Sequence, residues 1–323
     1  MKKIVAGLAF LIAFYGCEDK DAKRVVGKSS GNINNIVVVA DNQLWEASIG
    51  DSIRAVLAAP LRGLPNDEPI FKLSQMPPDV FTGFAKKNRT VLKIEMGKEA
   101  DTKIYSDAYA QPQTMVVISG QDRSEIIQQL KDNSDKIIQA YNTSEMEERQ
   151  RRISKSLFND KPIQEDLNLA IKLPSAYRMA KEGDHFFWLR KDIKEGTMDI
   201  LAYEAPLSAI RKGDSAVVDI VRLRDSIGKL YVEGPIEGSY LATEDKYTPF
   251  ISEITLDGKP TYETKGIWDV TNAFMAGPFI NYAIEDTKND RYVIVEGYVF
   301  APSVAKRDMV FDLETIIKSV KIN

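Results

Sequence analysis

The hydrophobic pattern of this chain changes period along its length, and each change predicts a different kind of element. Met1-Lys2-Lys3 is followed by an unbroken run of apolar or small residues from Ile4 to Tyr15, then by Gly16 and Cys17. That run is shorter than the roughly 20 residues a membrane span needs. A basic start, a short apolar stretch and a small residue before a cysteine are the layout of a bacterial lipoprotein signal. The pattern predicts a signal peptide over 1–16 and an acylated Cys17, carrying palmitate or a similar chain. The stretch 17–35 is polar and charged, the composition of a flexible tether.

Ile36-Val37-Val38-Val39-Ala40 is a continuous apolar run, as in a strand covered on both faces. Ile49, Ile53, Val56 and Leu57 then recur at helical spacing, predicting a helix over 47–58 that Pro60 and Gly63 end. Strands are expected at 69–74, at 90–96, where the period is two, and at 114–119. Asp122 opens a helical region reaching Leu157. Ser144 with Glu147 three residues later has the form of a capping box, which places a bend at Asn142-Thr143. Strands alternating with helices predict an α/β half with a mixed sheet over 36–158.

From 159 onward the rhythm shortens. Strands are expected at 167–173, 185–190 and 198–204, and a helix at 214–227. Longer strands follow at 250–256, 261–268, 279–285 and 291–300. Asp257-Gly258 is a hairpin turn signal, and Lys288-Asn289-Asp290 can turn the last pair. Met309, Leu313, Ile316, Ile317 and Val320 stripe a closing helix over 306–320. Successive hairpins with helices give an antiparallel sheet with helices on one side over 159–323, so the whole chain reads as α+β in two domains. In the last strand Val293, Val295 and Val299 share one face. Tyr292, Ile294, Glu296, Tyr298 and Phe300 share the other.

Charge narrows the partners. The chain has 43 basic and 47 acidic side chains and a net charge of −4, which becomes −6 once Lys2 and Lys3 are removed with the signal. Without a basic excess, nucleic acid is not an expected partner. Cys17 is the single cysteine, so the domains hold together without disulfides.

The chemistry-bearing residues are sparse. His185 is the single histidine, so a zinc site of His and Cys cannot be assembled. Gly50-Asp51-Ser52-Ile53 looks like the Gly-Asp-Ser-Leu block of SGNH hydrolases, but it lies inside an expected helix and no histidine follows residue 185 to serve as base. Ser303 and Lys306 have Ser-x-x-Lys spacing and suit the start of the closing helix better. There is no phosphate loop and no Rossmann glycine pattern. No catalytic residue, metal site or cofactor is expected. Trp268, Glu296 and Tyr298 are the candidate binding surface, weighed against burial under neighbouring elements.

Two resemblances add to this reading. Glu18-Asp19-Lys20-Asp21 resembles the acidic export signal of surface-exposed Bacteroidetes lipoproteins, with Glu18, Asp19 and Asp21 as its acids. The lipoprotein start, Pro174, Phe186-Phe187-Trp188, Gly266-Ile267-Trp268-Asp269-Val270, Phe274 to Phe279, Val295 to Pro302 and Lys306-Arg307 together resemble an uncharacterised lipoprotein family of Bacteroidetes, a domain of unknown function. The resemblance implies an outer-envelope lipoprotein of that phylum and brings no catalytic residues; the expected place is the outer membrane, exposed at the cell surface, with its periplasmic face as the alternative. The expected partners are the lipid bilayer, through acylated Cys17, and an outer-membrane β-barrel or envelope complex. The expected function is a non-catalytic interaction or accessory subunit. A carboxylate-dependent envelope enzyme, such as a glycan hydrolase, and a small-ligand-binding lipoprotein remain the alternatives.

Overall fold

Two sheets, one mixed and one antiparallel, organise the computed structural model, which describes residues 26–322. The signal peptide, Cys17 and the acids Glu18, Asp19 and Asp21 lie outside the described residues. The first sheet contains β1 (Asn35–Val39), β2 (Lys72–Met76), β3 (Thr90–Met96), β4 (Asp101–Ser106) and β5 (Thr114–Gly120), in the order β2-β1-β3-β5-β4. β4 is antiparallel to β5 and the other pairs are parallel. Ile36, Val38, Leu92, Ile94, Val116 and Ile118 point to one face, where three helices cover them: α1 (Ser48–Leu57), α2 (Arg123–Asp132) and α3 (Ser134–Ile153). The opposite face carries a smaller core of Val37, Val39, Val91 and Met115. It is covered by irregular segments that bring in Phe81, Ala85 and Tyr109.

The second sheet follows the short helix α4 (Lys161–Leu167). Its strands are β6 (Arg178–Gly183), β7 (Phe186–Ile193), β8 (Gly196–Pro206), β9 (Leu241–Thr243), β10 (Phe250–Leu256), β11 (Lys259–Val270), β12 (Ala273–Asp286) and β13 (Arg291–Phe300). They run in the order β9-β11-β12-β13-β8-β7-β6, with β10 also paired to β11, and every pairing is antiparallel. The α+β class is the one the strand and helix periods predict. The helices, however, occupy both faces of this sheet. α5 (Ala216–Tyr231) lies on the aromatic face with Tyr203, Trp268, Phe279 and Tyr298. α6 (Arg307–Ile317) lies on the aliphatic face with Val293, Val295 and Val299. The two-faced alternation of β13 has this cause: both faces are dry.

Several expected elements are placed differently. The break in the long helical region is at Asn133, whose side-chain amide donates to the Gln129 carbonyl at 2.9 Å. Ser144 and Glu147 lie inside α3, because Ile137, Tyr141, Glu145 and Glu148 continue one buried stripe through the expected bend. The strand expected at 167–173 is instead the end of α4 followed by Leu169–Ala170, paired with Lys321–Ile322. Pro162 in the first turn and left-handed Asn168 after the last bound that helix. The segment read as tether is already folded over 27–35. Gly27–Lys28 pairs with Ala110–Gln111, and the Arg89 guanidinium donates to the Gly31 and Asn32 carbonyls at 3.1 and 2.8 Å. Ser303 does not cap α6; the backbone amides of Lys306 and Arg307 donate to the Glu68 carboxylate.

Candidate functional site

An aromatic cavity of about 290 Å³ opens at one end of the antiparallel sheet, on the face that α5 covers. β7 contributes Trp188 and Arg190, which share a face because they are two residues apart. β13 contributes Tyr298 and Phe300, and β11 contributes Trp268 and Val270. The chain leaving α5 through Val232, Gly234 and Pro235 closes one side, and Leu241 and Met275 complete the wall.

The aromatic walls are fixed by contacts with each other and with the backbone. Trp268 and Tyr298 meet edge to face at 5.4 Å, and the Trp268 indole N–H donates to the Val299 carbonyl at 3.2 Å. Asp199 is fully buried beside the cavity. It accepts from the Trp188 indole N–H at 2.8 Å, from Arg190 Nε at 2.8 Å and from the Thr197 hydroxyl at 2.7 Å. That carboxylate locks the Trp188 ring and the Arg190 guanidinium, which also sits 4.6 Å from the Trp188 ring centre. Burial pulls the Arg190 pKa down most, but the charge and hydrogen bond of Asp199 together with Tyr298 outweigh it, and the net shift is upward. The Tyr298 hydroxyl is buried beside the Arg190 guanidinium. Burial, then the Asp199 charge, push its pKa well up, so the hydroxyl stays a neutral donor.

The sequence-predicted trio is therefore split. Trp268 and Tyr298 line the cavity, and Glu296 does not. Glu296 is fully buried two residues before Tyr298, accepting from Arg224 Nε of α5 at 2.9 Å and from the Asn281 amide at 3.0 Å. None of the three forms an exposed surface, since all are buried. Arg190, Trp188 and Asp199 were missed by sequence reasoning. The alternation of β7 was the signal that could have found the first two.

His185 stands at the turn between β6 and β7 with φ +47°. Its Nδ1 lies 2.9 Å from Asp166, and the side chain is 47% exposed. It precedes β7 by one residue and does not line the cavity, whose wall on this strand begins at Trp188. Gly50 to Ile53 lie within α1, where the Ser52 hydroxyl donates to the Ser48 carbonyl. Among the described residues no group of three or more His, Cys, Asp or Glu side chains could hold a metal ion. No helix among them is long and apolar enough to cross a membrane. A larger crevice of about 440 Å³ lies between the two halves, lined in part by Asn34, Lys265, Arg307, Glu314 and Lys318. Within it Lys318 and Lys265 lie 2.6 and 3.7 Å from Glu314, and Arg307 donates to the Asn34 and Ile70 carbonyls.

Two family models match the chain. One, Domain of unknown function (DUF4837), matches residues 156–319, and the other, Domain of unknown function (DUF8532), matches residues 29–154. No curated protein matches. Three solved structures are similar over part of the chain. The Saccharomyces cerevisiae Ran-binding protein Mog1p aligns with a TM-score of 0.33 and 11% identity, over 48% of this chain and 89% of that one. A point mutant of Mog1 aligns with a TM-score of 0.31 and 12% identity, over 48% and 90%. A STAR-related lipid transfer protein fragment from Xanthomonas axonopodis aligns with a TM-score of 0.21 and 10% identity, over 45% and 96%.

Proposed function

From the premise that this chain belongs to the family of Domain of unknown function (DUF4837), matched over 156–319, we propose that it is a non-catalytic interaction lipoprotein of the bacterial envelope. Acylated Cys17 holds it at the outer membrane of a Bacteroidetes cell, with Glu18, Asp19 and Asp21 directing it to the surface. Its C-terminal domain docks an envelope partner by gripping one side chain in the aromatic cavity.

The observation that carries this reading is the cavity's size and chemistry. A cavity of roughly 150 Å³ can hold benzene, whereas whole-ligand pockets run from about 300 to 1,000 Å³. At about 290 Å³ this one has room for a ring-bearing side chain, the anchor typical of an interface hot spot, and stands at the floor of the ligand-pocket range. Rigid aromatic walls supply the apolar contact, while the part-exposed Arg190 can meet one acceptor. The cavity is not arranged for glycoside hydrolysis, which uses two facing carboxylates. Its wall and immediate backing contribute Asp199, engaged by three donors, and Glu233 at the rim. A small-ligand carrier is the second reading, supported by the same apolar walls with one charged group, Arg190, among them.

The test is site-specific photo-crosslinking in native membranes from Ile236. This residue is 53% exposed and follows Pro235 of the cavity wall. A discrete protein adduct is expected, and it should disappear in Met275→Trp, which fills the cavity. An adduct indifferent to Met275→Trp, or none at all, overturns the docking role. Saturable binding of a free small molecule that Met275→Trp abolishes, without a protein adduct, would select the carrier.

A further inference from the structure

The mixed sheet has helices on one face alone, and the other face has an unusual surface. Its cover is the segment 77–88, which exposes Val80 (54%) and Phe84 (72%). Tyr105 stands opposite Met115 in register, so it belongs to the same face, and it is 42% exposed. Isolated exposed apolar residues need no explanation. Val80 and Phe84 lie four residues apart on one segment, and lysines adjoin that segment, while farther along the same sheet face Glu95 and Asp101 pair with Lys93, Lys98 and Lys103. Lys86 lies 5.0 Å from the Tyr109 ring centre. Lys87 and Lys28 flank the point where the chain enters the fold: Ser30 N–H donates to the Lys87 carbonyl at 2.8 Å, and Gly27–Lys28 pairs with Ala110–Gln111. Asp79 is the one acid of the 77–88 segment. Exposed apolar tips at Val80 and Phe84 beside Lys28, Lys86 and Lys87 match the interface of a bilayer with anionic headgroups.

We propose that this face is a membrane-contact surface, laid on the bilayer that holds Cys17. The proposal rests on the lipid-anchor reading above. Its independent support is where the chain enters. Nine residues lie between Cys17 and Gly27, so their ten Cα–Cα steps reach at most about 35 Å. The anchored end therefore joins the fold on the side where Lys28, Lys87 and Phe84 sit, with the Lys87 amide donating to the Phe84 carbonyl. Contact there would fix the orientation of the whole molecule instead of leaving it to swivel on its tether.

The test uses the full chain on vesicles of equal parts phosphatidylethanolamine and phosphatidylglycerol. An environment-sensitive fluorophore is attached through Phe84→Cys, and a control fluorophore through Val218→Cys on α5. On membrane-bound protein the label at position 84 should be quenched by brominated lipids and the control should not. In the Cys17→Ser background the full chain should still partition weakly onto these vesicles. Val80→Ser with Phe84→Ser should lower that partition by about tenfold or more, the effect of withdrawing an apolar side chain from lipid. Lys86→Gln with Lys87→Gln should weaken its salt dependence. Equal labelling environments at 84 and 218 on bound protein would overturn the proposal. The mass of the mature N-terminus reports the anchor separately. An unmodified Cys17 would sink the anchor reading, while the quenching and partition measurements would still decide the surface.

Discussion

At the scale of single residues, the most consequential contact is the one that removes Glu296 from the candidate site. Its carboxylate is fully buried against Arg224, itself 1% exposed, and the guanidinium also sits 4.0 Å from the Phe279 ring centre. Such pairs are marginal as pairs but costly to break. Arg224→Met should destabilise by about 3–5 kcal/mol in urea titrations, and adding Glu296→Leu should recover most of that. Burial raises the Glu296 pKa, although Arg224 and Asn281 pull the other way. A native carboxyl with a raised pKa holds its proton more tightly than the unfolded chain does. Stability relative to Glu296→Gln should therefore fall as pH rises from the unfolded value of 4.5 through the native one, then level off. A relative stability that climbs over that window would contradict the assignment. The alternation of β13 made the facing of Glu296 and Tyr298 legible. The partner that consumes Glu296 comes from 72 residues earlier, on another element, and no local pattern encodes it.

Elements were legible where their period was long and clean. The windows for β3, β10 and β13 coincide with the observed strands, and α1 and α6 fall within one to three residues of their expected ends. The misses share a cause. β4 and β6 are edge strands of mixed, polar composition, and α4 is too short to show a helical stripe. One element contact bears directly on the cavity. Gly228 lies in the last turn of α5 against β9, and a Cβ there would meet the Leu241 carbonyl oxygen at 2.0 Å. Glycine lets helix and strand backbones touch, which positions Val232 and Leu241 in the cavity wall. Gly228→Ala must push α5 away from β9. It should cost about 1–3 kcal/mol, the usual penalty for overpacking, and should weaken crosslinking from Ile236 more than a control substitution of equal cost on α2. An unchanged urea midpoint would mean that the helix moves freely at that point and does not shape the cavity.

At the scale of the whole molecule, the two halves meet through α6, and the sequence could not show it. Its apolar stripe was legible and packs on the aliphatic face of the second sheet. Its polar N-terminus faces the first half. The Glu68 carboxylate accepts from the backbone amides of Lys306 and Arg307 at 2.8–2.9 Å. Arg307 Nη1 donates to the Asn34 and Ile70 carbonyls, Arg149 pairs with Asp312, and the Gln150 amide donates to the Thr315 carbonyl. A carboxylate at a helix N-terminus satisfies amides that have no partner within the helix and complements the helix dipole. Here the capping group arrives from 238 residues away, so the cap of one domain is a side chain of the other. That couples their stabilities. Glu68→Ala should cost about 1–2 kcal/mol, the range for losing a good cap, and should separate the unfolding of the two halves. The check is calorimetry beside fluorescence of Trp45 in the first half and of Trp188 and Trp268 in the second. The wild type should melt in one transition, the variant in two overlapping ones, with Arg149→Ala widening the gap. If both proteins melt as one unit with the same midpoint, the Glu68 contact does not join the halves, and the apolar packing of α6 alone must hold them together.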